Sequence, residues 1–175
     1  METMYLRIFQ GELERQCKFA LIAVDDMKRA LQTHDMERIW YPVQNFLVAA
    51  GNISKILWPS KKDYSERGVT LRKSLKVSDD SPLVPRTFRN HFKHFDERLE
   101  LWATSSERHK FADYNVGPPN MILGLEPRDY LRNFDTTNFT VMFHGDRYSL
   151  SPIINAIQTL LANLSAESKT PHWIK

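Results

Sequence analysis

The chain has 175 residues, of which 42% are hydrophobic, and this is enough to build one core, so we predict a single domain over residues 1–175. The single cysteine, Cys17, excludes an internal disulfide framework and favours a reducing compartment. The net charge of +3 and the pI of about 9.0 mildly favour a polyanionic partner.

No segment of the sequence resembles a targeting signal or a membrane span. The N-terminal residues carry charges where a signal peptide needs an uninterrupted apolar stretch, and no apolar run reaches the length of a bilayer-spanning helix. We therefore expect a soluble cytoplasmic protein that does not associate with membranes.

In the first part of the chain, apolar residues recur at helical spacing and predict two long amphipathic helices, at about 5–33 and 36–58. Asp35 is placed to cap the second helix, and the short connection predicts an antiparallel hairpin. The predicted core face of the first helix comprises Leu13, Cys17, Ala20, Val24, Met27 and Leu31. A short helix at about 64–77 follows, and its cations are either a solvated face or a surface for phosphates.

A third long helix is predicted at about 85–104, where residues 86–102 read RTFRNHFKHFDERLELW. Apolar side chains recur there at spacings of four and three, which places them on one stripe that we expect to be core. The stripe consists of Phe88, Phe92, Phe95, Leu99 and Trp102. His91 and His94 lie within one turn of each other, beside several cations, and this crowding suggests a functional site.

The last third of the chain combines a loop-rich connection, a β region and a final helix. Residues 128–150 form a predicted antiparallel insertion of three short strands, and the last helix is expected at about 151–166. The sequence therefore predicts a mainly α fold, an antiparallel bundle of about four helices with a small antiparallel β insertion before the last helix.

Two kinds of chemistry are disfavoured by the residues present. His91 and His94 are three residues apart, but the pattern of a di-iron bundle needs Glu-x-x-His on two helices together with inward carboxylates. Nucleophilic catalysis is disfavoured because the sequence has no G-x-S-x-G elbow and Cys17 lies on a predicted core stripe. We therefore predict neither a metal nor a cofactor.

Cleavage of RNA without a metal suits the remaining residues better. The His94 imidazole can take a proton from a 2′-hydroxyl or give one to the leaving oxygen, and the Arg89 guanidinium can hold the phosphate oxygens. Asn90, four residues before His94, is close enough on a helix to orient the ring. Nucleic-acid binding is assigned to three further cations of this segment, Arg86, Lys93 and Arg98.

The segment Arg89-Asn90-His91-Phe92-Lys93-His94 resembles the R-x4-6-H signature of the HEPN superfamily (higher eukaryotes and prokaryotes nucleotide-binding). The resemblance implies a bundle of about four helices, usually a homodimer whose cleft brings arginine and histidine together. Many members are metal-independent endoribonucleases of toxin–antitoxin, phage-defence or RNA-processing systems. By that analogy Arg89 and His94 are catalytic, RNA is the substrate, and a cognate antitoxin or regulatory protein is a possible partner.

Two alternatives to a ribonuclease stay open. The first is a noncatalytic module that binds nucleic acid, a nucleotide or a protein, and the second is an interaction-only bundle within a larger assembly. For the residues themselves, Arg89 can instead pair with Asp96 while His94 lies at a solvated helix edge. On an ideal helix Arg89 and His94 are separated by about 140° and about 7.5 Å, so a two-fold axis is the simplest way to bring them together.

Overall fold

The computed structural model describes residues 3–85, 90–91, 94–105 and 109–169. The α-helices in these ranges are α1 (Thr3–Ala30), α2 (Met36–Leu57), α3 (Ser65–Ser74), α4 (Phe95–Ser105) and α5 (Leu150–Ser168). The strands are β1 (Asn115–Val116), β2 (Arg132–Asp135), β3 (Thr140–Phe143) and β4 (Asp146–Ser149). Short 3-10 turns lie at Lys62–Tyr64 and Pro127–Asp129. None of the helices in the described ranges has the length and apolar character needed to cross a bilayer.

The main core lies between α1, α2 and α5. Asp35 caps α2 by accepting a hydrogen bond from the Arg38 backbone N–H at 3.1 Å. The predicted core face of α1 is buried from Leu13 to Met27, whereas Leu31, which follows the end of the helix, is only half-buried. At the far end of α5, the Asn163 side chain donates to the Leu75 carbonyl at 2.9 Å and so joins α5 to the end of α3.

The four strands form one mixed sheet in the order β1-β2-β3-β4. The strand β1 runs parallel to β2, and the other neighbours are antiparallel. Aligned side chains alternate between two faces, and Val116, Phe134 and Val141 pack on the main core from one of them.

The turn between β3 and β4 sets the register of that pair. His144 and Gly145 both have positive φ, 46° and 91°, as the two central residues of a type I′ hairpin turn require. Phe143 is consequently paired with Asp146, and Val141 with Tyr148. Asp146 and Tyr148 therefore share the sheet face that carries Phe143.

The predicted fold class is wrong in its β part. The sheet is not a small antiparallel insertion, because β1 comes from a segment expected to be a loop and pairs in parallel with β2. Side-chain and backbone bonds hold this pair, with the Asn115 amide donating to Asn133 at 2.9 Å and Gly117 N–H to the Phe134 carbonyl at 2.8 Å. A two-residue strand is too short to show a periodic pattern of apolar residues, so β1 could not be predicted from the sequence.

The helix α4, which begins directly after His94, also differs from its expected place in a bundle. No residue of α4 is buried, and Leu99, expected in the core, is 41% exposed. Phe95 packs edge-on against Phe143 of the sheet, and the Trp102 indole donates to the Asp129 carbonyl at 3.0 Å. The helix therefore lies on the sheet and its loops. Phe88 and Phe92 fall outside the described residues.

A buried ion pair joins the sheet to this helix and to α2. The Arg132 guanidinium, on a residue only 8% exposed, binds both carboxylate oxygens of Asp113, with N–O distances of 2.8 and 2.5 Å. The same guanidinium lies 4.3 Å from the ring centre of Tyr114, 5.1 Å from that of Phe95 and 5.9 Å from that of Trp40.

We expect Asp113→Ala to lower the free energy of unfolding by about 3 kcal/mol, because it leaves the Arg132 charge buried without its carboxylate. Urea denaturation monitored by tryptophan fluorescence measures the change. The control is Lys18→Ala, which breaks an exposed pair with Glu14 and is expected to cost less than about 1 kcal/mol. Equal losses in the two variants would contradict a structural role for the buried pair.

Candidate functional site

The described part of the predicted motif occupies the turn that leads into α4. His94 N–H donates to the Asn90 carbonyl at 3.0 Å, and Arg98 N–H donates to the His94 carbonyl at 3.1 Å. These two bonds each span four residues, and His94 itself lies in the turn directly before Phe95, where α4 begins. Asn90 is exposed and the His94 side chain is 41% exposed, so solvent reaches this side of the helix.

Glu97 positions the His94 ring. Its Oε1 lies 3.1 Å from His94 Nδ1, in an i,i+3 contact across one helical turn. A carboxylate can only accept a hydrogen bond, so the neutral ring carries its hydrogen on Nδ1, which donates to Glu97, and its lone pair on Nε2. Asn90, to which the sequence assigned the positioning of the ring, contacts His94 in the described interactions through its backbone carbonyl.

His91 has a different environment, although it lies only three residues before His94 in the chain. It is 7% exposed, and its ring stacks on Phe143 with centres 4.7 Å apart and planes 12° from parallel. Its Nε2 lies 2.9 Å from the Tyr148 hydroxyl and 3.3 Å from Asp146 Oδ2. His91 therefore fixes the helix to the sheet face that the β3–β4 register presents.

Burial lowers the pKa of His91 below the usual histidine value, because the charged ring would lose its hydration. The Asp146 carboxylate opposes this shift, whereas Arg98 and His144 add to it. The ring nitrogen Nδ1 is buried and has no hydrogen-bond partner in the part of the chain that the structure describes. The neutral ring with its proton on Nε2 suits this setting, since Nε2–H can then donate to Tyr148.

The remaining predicted site residues are only partly placed. Arg86, Arg89 and Lys93 lie outside the described residues, so the structure describes neither the approach of Arg89 to His94 nor its alternative pairing. Arg98 is half-buried, its Nε is buried, and it acts electrostatically on His91. Its guanidinium therefore lies close enough to His91 to disfavour a positive charge on that ring.

Two features of this site differ in how far the sequence could reveal them. Glu97 has a local signal, because residues three apart on a helix are neighbours. Asp146 and Tyr148 have none, since they are more than 50 residues away from His91 along the chain and reach it only through the hairpin register.

The described ranges contain no group of three or more His, Cys, Asp or Glu side chains that could hold a metal ion. Cys17 is fully buried, and burial raises the pKa of its thiol to about 12, so at neutral pH it is protonated and shielded from substrate.

No protein-family model, curated protein or solved structure matches this chain. Its function must therefore be inferred from the site itself.

We expect acid to destabilise the protein partly through His91. The pKa of His91 is lowered in the folded state. Below the unfolded value of about 6.5, His91 is therefore protonated in the unfolded chain but still neutral in the folded one. The contribution of His91 to the free energy of unfolding is fully present above that pH, and it declines as the pH falls toward the lower pKa of the folded state. Urea denaturation at pH 7.5 and 5.5 should show a smaller loss for His91→Gln than for the wild type.

The control for this measurement is His109→Asn, which removes an exposed histidine at a φ of 49° that asparagine tolerates. It should lose as much stability as the wild type over the same interval. If His91→Gln and the wild type respond equally to acid, burial of the neutral ring does not contribute to the pH dependence.

Proposed function

We propose that this protein is a metal-independent endoribonuclease in which His94 is the general base. The observation that carries the proposal is the His94–Glu97 pair on a solvent-accessible side of the helix. The carboxylate engages Nδ1 and leaves the Nε2 lone pair available to a substrate hydroxyl. His91, which is buried, neutral and bonded to the sheet, does not suit this role.

The proposed reaction is an internal transfer within RNA. Nε2 of His94 takes the proton of a ribose 2′-hydroxyl, and the 2′-oxygen attacks the adjacent phosphorus. The bond from phosphorus to the 5′-oxygen of the next nucleotide breaks, that oxygen acquires a proton from water, and the hydroxide so formed takes the proton back from Nε2. The products are a 2′,3′-cyclic phosphate and a 5′-hydroxyl end. Glu97 keeps the ring oriented, and Arg89 is assigned to the nonbridging phosphate oxygens as negative charge develops on them.

A cluster of cations in the sequence also supports an RNA substrate. Arg86, Arg89 and Lys93 place three cations within the ten residues that end at Phe95. Phosphate contacts supply most of the affinity of proteins for nucleic acids, so such a cluster suits an RNA substrate. A homodimer and an antitoxin or regulatory partner remain predictions that the HEPN resemblance implies.

The direct test is cleavage of mixed-sequence RNA in EDTA. We expect His94→Ala and Arg89→Ala each to reduce the rate by about 10²- to 10⁴-fold, the usual contribution of a general base or of a positioned cation. The matched control is His109→Asn, because His109 is exposed, has a φ of 49° that asparagine tolerates, and lies outside the motif. Its rate should equal that of the wild type.

A defined oligonucleotide sharpens this test. A DNA oligonucleotide with a single ribonucleotide should be cut after that ribonucleotide to give a 2′,3′-cyclic phosphate. The all-deoxy analogue should bind but should not be cleaved. Equal cleavage by the wild type and the two motif variants, or no cleavage by any of them, would reject the proposal. Binding without turnover, lost in the variants, would favour a noncatalytic module.

Glu97 gives a separate prediction about positioning. Glu97→Gln keeps an oxygen that can accept from Nδ1, so kcat should stay within about threefold of the wild type. Glu97→Ala releases the ring, and we expect kcat to fall about tenfold or more with little change in KM. Single-turnover and steady-state assays measure both parameters. Equal kcat values for the two variants would contradict the positioning role.

A further inference from the structure

The helix α1 has a second ordered stripe, on the side away from its core face. The residues of this stripe recur at alternating spacings of four and three, and on an ideal helix they lie about 150° from the core face. The stripe consists of Ile8, Glu12, Arg15, Phe19, Ile22, Asp26 and Arg29. Its three apolar side chains are Ile8, Phe19 and Ile22, with exposures of 64%, 51% and 56%.

The centre of this stripe borders a groove between α1 and α2. Phe19 and Ile22 line it from one side, and Tyr41 and Val48, which are 73% and 44% exposed, line it from the other. The groove has a volume of about 410 Å³. Exposed apolar side chains gathered at one place mark an interaction surface more often than scattered ones do.

The order of charges along the stripe identifies its partner. When a second copy of α1 is laid antiparallel about the midpoint between Phe19 and Ile22, each charge meets the opposite charge. The opposed pairs are Phe19 with Ile22, Arg15 with Asp26 and Glu12 with Arg29. A parallel copy in register would place every charge against its like. The stripe is therefore complementary to itself in the one arrangement that a two-fold axis generates.

The size of this surface is just sufficient for a dimer. The part of the stripe that is symmetric about the midpoint runs from Glu12 to Arg29 and is about 26 Å long, and with α2 beside it the face is about 20 Å wide. This gives about 500 Å² for each protomer and about 1,000 Å² in total, the smallest area expected of a specific interface with good complementarity.

We propose that this face joins two copies of the chain, α1 against α1, in an antiparallel two-fold dimer. Within one chain Arg15 already pairs with Glu12, and Arg29 pairs with Asp26 at 2.5 Å, all four side chains being well exposed. In the dimer each intrahelical pair meets the other pair of the second copy and forms a four-charge network. The inference names a surface for the homodimer and is independent of RNA cleavage, since its readout is molecular mass.

The sharpest test mixes two single charge reversals. Arg15→Asp alone opposes two carboxylates at two symmetric places in the dimer, and Asp26→Arg alone opposes two guanidinium groups. Each should raise the dimer dissociation constant about tenfold or more in sedimentation equilibrium. An equimolar mixture should recover a dissociation constant near that of the wild type, because the mixed dimer pairs every charge again. Changes within one chain cannot produce this recovery.

The apolar centre is tested by Ile22→Glu, which should give a monomer at concentrations where the wild type is a dimer. Its matched control is Val69→Glu, which changes an apolar residue of α3 that is 39% exposed and should leave the dimer intact. Circular dichroism establishes that each variant is folded. A monomeric wild type, or a mixture that remains monomeric, would overturn the proposal, and so would a dimer that Ile22→Glu leaves unchanged.

Discussion

The pairing of Arg132 with Asp113 is the constraint on which the arrangement of the site depends. A guanidinium removed from water needs a carboxylate with matching geometry, and this one has two hydrogen bonds to Asp113. The aromatic rings around it come from different segments, including Trp40 of α2 and Phe95 at the start of α4. Because Phe95 directly follows His94, the buried charge helps to decide where the candidate base lies.

Two histidines three residues apart therefore have different environments. His91 faces the sheet, loses its hydration and remains neutral, so it acts as a packing residue with one hydrogen bond to the hairpin. His94, three residues further along the chain, contacts solvent and the Glu97 carboxylate. The proposed chemistry depends on this separation, because one histidine fixes the helix on the sheet while the other remains accessible.

The sequence was informative where structure is local. Periodicity placed helices at 5–33 and 36–58, and the structure has them at Thr3–Ala30 and Met36–Leu57. The same periodicity identified an apolar stripe around Phe95. It could not show that Phe95 packs against Phe143 of the sheet, because residue spacing defines the apolar face of a helix but not the element that this face contacts. The parallel strand β1 and the contact of His91 with Tyr148 depend on chain segments that are far apart, and neither has a local signature. Glu97, within one turn of His94, was open to prediction from spacing.

The two-residue turn at His144 and Gly145 determines which side chains of β4 contact His91. Because side chains alternate along a strand, a shift of one residue in this hairpin would present Arg147 and Ser149 to the helix in place of Asp146 and Tyr148. Hairpins of this kind close in about 1–10 μs, before distant parts of a chain meet. We therefore expect the β3–β4 hairpin to form early in folding. Its register then determines that Asp146 and Tyr148 lie on the sheet face that contacts His91.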